Sequence, residues 1–179
     1  SAEGRPLEIA PYQDPHPPLW RPGTLSTAAR MGVSTILPGP VESLPAMVAA
    51  YRDEQNSDGA GGHAPILSTL RRLVIATTER EAVKIATRAW ERFDANLTKL
   101  FRQYDLWPPT MVPSFMGDVD RAFQTEALIA GTREQVAEYF DRFESESDLG
   151  HVTICPAFGD VSGSEARTTL ELFCEAMKI

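Results

Sequence analysis

Cysteine is nearly absent: the chain has only Cys155 and Cys174, far apart and in no C-x-x-C pair. That spacing excludes a disulfide framework and a zinc site, and leaves two buried free thiols in a reducing, cytoplasmic compartment as the expectation. Histidine is equally scarce. His16, His63 and His151 share no spacing with one another, so no metal-ligating set is expected, and each reads as solvated or structural. Long apolar runs are missing too; nothing approaches the roughly 18 residues that would suggest a membrane span, and no signal peptide is evident. Positive charge is outweighed by negative, 17 Lys and Arg against 25 Asp and Glu, for a net charge of −8. Phosphate backbones would be repelled by such a surface, so nucleic acid is not an expected partner. Arg71-Arg72 is only a pair. Nor does the sequence contain a G-x-S-x-G, a P-loop, a G-x-G-x-x-G or an H-E-x-x-H motif.

What is present is ordinary globular material, 42% hydrophobic and 23% charged over 179 residues. That length suits one domain and falls short of the roughly 250 residues of a complete (β/α)8 barrel. Residues 1–18 form a proline-rich lead-in (Pro6, Pro11, Pro15, Pro17, Pro18), which excludes helix and predicts an extended segment. A short helix is predicted from Thr24 to Met31, stopped by Gly32. A buried strand follows over Ser34–Leu37, closed by Pro38-Gly39-Pro40. Leu44, Met47, Val48 and Tyr51 then repeat at i, i+3, i+4, i+7 and mark one apolar helix face. That helix runs out in the loop from Asn56 to Gly62.

The second half of the pattern is stronger. Leu70–Ala76 reads as a strand, and Thr78-x-x-Glu81 has the spacing of a capping box. Val83, Ala86, Trp90, Phe93, Leu97, Leu100 and Tyr104 follow in steps of three and four, predicting a long helix that ends before Pro108-Pro109. Residues 105–128 read as an irregular insertion, weakly helical around Asp118 to Phe123. Thr132-x-x-Gln135 repeats the capping-box spacing ahead of the apolar stripe Val136, Tyr139, Phe140 and Phe143. His151–Ala157 is rich in strand formers. Phe158-Gly159-Asp160 turns the corner, and Ser162-x-x-Glu165 opens a last helix through Ala166, Leu170, Phe173 and Met177.

Alternating strands and helices predict βαβ units in a parallel sheet, counted here as four strand–helix units. Right-handed crossovers bring Arg21–Thr24, Pro38–Pro40, Thr77-Thr78 and Phe158–Asp160 to one rim, the side on which such folds bind ligands. Among these, Arg21, Gly23 and Thr24 form the candidate site. Glycine lets a backbone approach closely, threonine at a helix start offers a hydroxyl, and Arg21 supplies charge, so a phosphate would fit. A plain helix cap also explains Thr24, and spacing alone favours that reading. Asp160 offers a general base or, more simply, a turn residue. No catalytic residue can be assigned.

Three segments together resemble one family. Pro15-His16-Pro17-Pro18-Leu19-Trp20 leads to Ala28-Ala29-Arg30-Met31-Gly32. Ile129-Ala130-Gly131-Thr132 runs on to Val136. Phe158-Gly159-Asp160-Val161-Ser162 precedes Glu171-Leu172-Phe173-Cys174-Glu175. In order and spacing these resemble the bacterial-luciferase-like flavin monooxygenases. The resemblance implies a TIM-like barrel of which this chain supplies about the last four strand–helix units. It further implies reduced FMN, or in relatives F420, acting with molecular oxygen on a small organic substrate. The family's phosphate site maps to Thr24. Arg133 replaces the family's usual proline, and Arg21-Pro22 replaces small or polar residues. The first four strands, which carry the family's active-site histidine, have no counterpart here. The expected alternative is a non-catalytic half-barrel that self-associates, a flavin-binding remnant in a homo-oligomer.

Overall fold

The computed structural model describes residues 12–13, 16–55, 64–107 and 118–179. Most of the lead-in, the Asn56–Gly62 loop, His63 and Pro108-Pro109 lie outside them. Among the described residues the order is α1 (Leu25–Met31), β1 (Thr35–Leu37), a 3-10 turn (Val41–Ser43) and α2 (Leu44–Glu54). Then come β2 (Leu67–Ile75), α3 (Glu79–Tyr104), α4 (Val119–Gln124), β3 (Leu128–Gly131), α5 (Arg133–Glu146), β4 (Val152–Cys155) and α6 (Gly163–Met177).

All pairings are parallel, and β2 is the hub, pairing with β1, β3 and β4. A strand has only two edges, so two of its partners share one. Thr35 donates to the Ile66 carbonyl, while Arg72 and Ala76 donate to the carbonyls of Ala127 and Gly131. These β2-side positions are an even number apart and point to the same edge. β1 and β3 therefore lie end to end along one edge of β2, and β4 holds the other. Outside β1 a parallel bridge joins Trp20 to Ser34. The sheet thus runs Trp20, β1, β2, β4, with β3 filling the edge that β1 vacates.

This arrangement departs from a plain succession of four units. Leu128 begins a fifth strand position, β3, where the sequence reading placed the end of an irregular insertion; the helical turn expected inside that insertion is α4. The path from β2 to β3 steps back towards β1, and the path from β3 to β4 crosses β2 in the other direction. Right-handed crossovers in opposite directions place their helices on opposite faces. Accordingly Leu73 and Ile75 pack with Leu44, Val48, Val136 and Phe140 of α2 and α5, whereas Val74 and Leu128 pack with Ala82, Ala86 and Ala89 of α3. Alanine at these α3 positions lets the helix backbone settle close to the sheet. The strand alternates its side chains between two apolar layers, and helices cover both faces around β2 and β3.

Caps fix where the helices start. Thr132 and Ser162 each accept from the backbone of the third helical residue, and Gln135 and Glu165 return the bond, completing two capping boxes. At Thr78 the hydroxyl accepts from the Glu81 amide, but Glu81 does not return the bond, so the expected capping box is only half formed. Gly159 has φ +59°, and a Cβ there would lie 1.9 Å from the Ala89 carbonyl oxygen. Only glycine lets this turn touch α3, which holds the β4–α6 connection against the Ala89 turn of the helix.

Candidate functional site

The turn after Trp20 brings Gly23 and Thr24 to the rim of the sheet. Gly23 has φ +116°, a backbone shape that side chains rarely adopt, and open space surrounds its Cβ position. Thr24 is the N-cap of α1, yet its side chain makes no cap hydrogen bond. Its hydroxyl is therefore not spent on the helix. Gly23 and Thr24 line a cleft of about 650 Å³ together with Ile36 and Leu37 of β1, Pro38 and Gly39 of the turn after it, Leu70 to Arg72 of β2, and Ala127. This cleft is the notch left in the sheet where β1 ends and β3 begins. Its volume lies in the range of small-molecule sites.

The turn that walls the cleft is fixed by charged groups on β2 and before β3. Arg71, 1% exposed, donates to the Gly39 carbonyl at 2.7 Å, the Tyr139 hydroxyl at 2.7 Å and Thr69 Oγ1 at 2.8 Å. Glu126 accepts from the Val41 amide at 2.9 Å and pairs with Arg142 and, at 3.9 Å, with Arg71. Burial pushes the Tyr139 phenol up to about 12, so this hydroxyl stays protonated. Arg72, the next residue, points to the other face and into the cleft. Burial lowers its pKa below the ordinary arginine value.

Of the residues singled out from sequence, Gly23 and Thr24 come together with the Pro38-Gly39 turn in this cleft. Arg21 is exposed and anchored by its backbone, donating to the Ser34 carbonyl and accepting from Thr35 Oγ1; it stands beside the lining residues and is not one of them. Thr77 belongs to a separate crevice of about 160 Å³ between α3 and α6, whose Glu81 and Glu165 make it acidic. Asp160 is exposed and pairs with Arg88, an arrangement that suits a turn residue. His151 precedes β4, at the opposite end of the strands, with Nδ1 2.8 Å from Ser68 Oγ. The cysteines are free but not buried as expected: Cys155 is half-buried and Cys174 is exposed on α6. Among the described residues no cluster of His, Cys, Asp and Glu could hold a metal ion, and no helix is long and apolar enough to cross a membrane. The residue that sequence reasoning passed over is Arg72. Two arginines in an apolar strand must face opposite layers, and that was the available signal.

No family model matches the sequence. It is 30% identical over 162 residues to the uncharacterized protein y4wF of Sinorhizobium fredii, covering 87% of this chain and 46% of that protein. Among solved structures, the monooxygenase RslO1 from Streptomyces bottropensis superposes over 93% of this chain and 49% of its own. The TM-score is 0.69 and the identity 21%. The oxygenating constituent of 3,6-diketocamphane monooxygenase from Pseudomonas putida, solved in complex with FMN, matches over 92% of this chain and 49% of its own, with a TM-score of 0.59 and 16% identity. The chain thus spans about half the length of each of these three proteins. The likeness to the solved structures is one of fold.

Proposed function

We propose that this chain is the C-terminal portion of a luciferase-like, flavin-dependent monooxygenase, with reduced FMN bound at the cleft beside Gly23 and Thr24. One observation carries the reading. In a fold shared with an FMN-bound monooxygenase, a cleft opens at the strand ends, and its rim offers an open glycine turn and an uncommitted threonine hydroxyl. The residues fit a phosphate. Gly23 gives room for close approach, the Thr24 hydroxyl donates, and Arg21 adds charge from the flank. The flavin, when bound, supplies the redox chemistry with molecular oxygen on a small organic substrate. The chain's own part is to hold the cofactor's tail and to wall the cleft with the turn fixed by Arg71 and Glu126. FMN is preferred to F420 because the flavin named with a protein of this fold is FMN. Two free cysteines suit a reducing cytoplasmic setting.

Calorimetric titration of the chain with FMN and with riboflavin, which lacks the phosphate, tests this reading. FMN should bind more tightly, and Thr24→Val should weaken FMN by about tenfold, as for one charge-assisted hydrogen bond. Equal binding of both flavins, unaltered by Thr24→Val, would remove the phosphate corner.

A second reading has its own observation. Leu19 and Trp20 are 45% and 41% exposed at the outer edge of the sheet. Two copies pairing there would form a homo-oligomeric, non-catalytic half-barrel.

A further inference from the structure

The cleft contains a cation, Arg72, whose Nε finds no hydrogen-bond acceptor among the described residues. Arg72 projects from β2 towards α3, where its guanidinium carbon lies 3.9 Å from the centre of the Phe93 ring and 5.6 Å from that of Trp90. Phe93 is in turn braced edge-on by Phe158, and Trp90 packs against Phe93. The guanidinium is thus held by its flat face. Its Nε is buried and finds no hydrogen-bond acceptor among the described residues. Arg71, one residue away, shows what this fold does when an arginine is structural: three close acceptors surround it.

A buried donor without an acceptor carries a desolvation cost that a matching oxyanion would offset. Stacking leaves the in-plane edge of a guanidinium to receive two parallel bonds, the geometry of carboxylate and phosphate recognition. Net charge −8 excludes a general attraction for anions, so binding here needs a specific residue.

We propose that Arg72, stacked on Phe93, is an anion-binding residue of the cleft and takes the phosphate or carboxylate group of a bound small molecule. The assignment stands whether or not the molecule is a flavin. If it is, the anion is either the FMN phosphate or an acidic group of the substrate.

The test follows the arginine Nε–H resonances of the whole chain by NMR, with the Arg72 signal identified by its loss in Arg72→Lys. Inorganic phosphate and acetate are titrated in turn, then FMN and riboflavin. Phosphate or acetate should shift the Arg72 signal saturably. Trp90 fluorescence should follow the same curve, and Arg72→Gln should weaken binding at least about tenfold. Arg72→Lys keeps the charge and the aliphatic stem but not the fork, and should fall between the two. Displacement of phosphate by FMN but not by riboflavin assigns the site to the cofactor's tail. Binding of both flavins without displacement assigns it to the substrate. A saturable phosphate shift with no flavin binding sinks the flavin reading alone. No saturable shift with either anion, or equal affinity in Arg72→Gln and Arg72→Lys, overturns the proposal.

Discussion

At the residue scale the cleft depends on a small charged network behind its wall. Arg71 and Glu126 grip the Gly39 carbonyl and the Val41 amide, so the turn between them is held from both ends. Glu126 does this from a left-handed backbone, φ +54°, a conformation that costs a non-glycine residue on the order of 1 kcal/mol. Replacing Arg71 with Met would leave Glu126 without one partner and Gly39 without its donor. An unfolding loss of about 3 kcal/mol is expected, together with weakened ligand binding in the cleft. Urea denaturation and calorimetry read the two effects separately. Tyr139 adds a pH signature. Its phenol is raised from near 10 to about 12 by burial, so between those values the folded chain binds more protons than the unfolded one. The sign then follows: stability falls as pH rises through that window. Tyr139→Phe should flatten the urea midpoint across it, and a slope unchanged by Tyr139→Phe would assign the alkaline loss to another group. None of this network was legible from the sequence. Glu126 reads as one more acid in an irregular stretch, and its partners are brought to it only by the sheet.

At the element scale the sequence was most informative where local chemistry decides. The Thr132 and Ser162 caps are set by side chains three residues apart, and both formed as their spacing predicts. The long α3 helix was equally readable, but its buried face was so only in part: Ala82, Ala86, Ala89, Asp94 and Thr98 are buried, while Leu97, Leu100 and Tyr104 of the expected stripe are exposed. β3 was not, because four residues are too few to show a period, and β2 begins at Leu67, three residues before the Leu70 start predicted from its apolar run. Which edge a strand joins depends on contacts distant in sequence, so the reversal at β3 left no local trace. The candidate site divided in the same way. Gly23 and Thr24 were visible as a glycine turn at a helix start. Arg72 was hidden, because its role comes from Phe93 on another element. Gly159 gives this scale its test. Gly159→Ala would place a methyl group 1.9 Å from the Ala89 carbonyl oxygen at φ +59°, so the turn must lift from α3. A loss of about 2–4 kcal/mol is expected. Phe158, which braces Phe93, would shift with it and weaken the Arg72 stack. Unfolding within about 0.5 kcal/mol of wild type would mean that the turn is free to move.

At the scale of the whole molecule, the question is what lies against the sheet's two open edges among the described residues, one beyond Trp20 and one beyond β4. Helices cover both faces around β2 and β3, but among the described residues the Trp20 segment is bridged only to Ser34, just before β1. Leu19 and Trp20 are partly exposed there, and the Trp20 ring lies 6.0 Å from that of His151 before β4. An uncovered strand edge with apolar side chains is a template for pairing. Two occupants would satisfy it: further strands of a luciferase-like barrel, or a second copy of this chain. They differ in stoichiometry. Light scattering across a concentration series should give a dimer that Trp20→Glu dissociates if a second copy is the occupant, since a charge at the seam would be buried without a partner. A monomer at every concentration, with Trp20→Glu no different, would exclude the self-associating half-barrel. The edge would then be reserved for other strands of a barrel, as the monooxygenase reading requires. Flavin binding makes the two outcomes independent of one another. A dimer that binds FMN in one cleft per chain would keep the cofactor site while changing what completes the barrel around it.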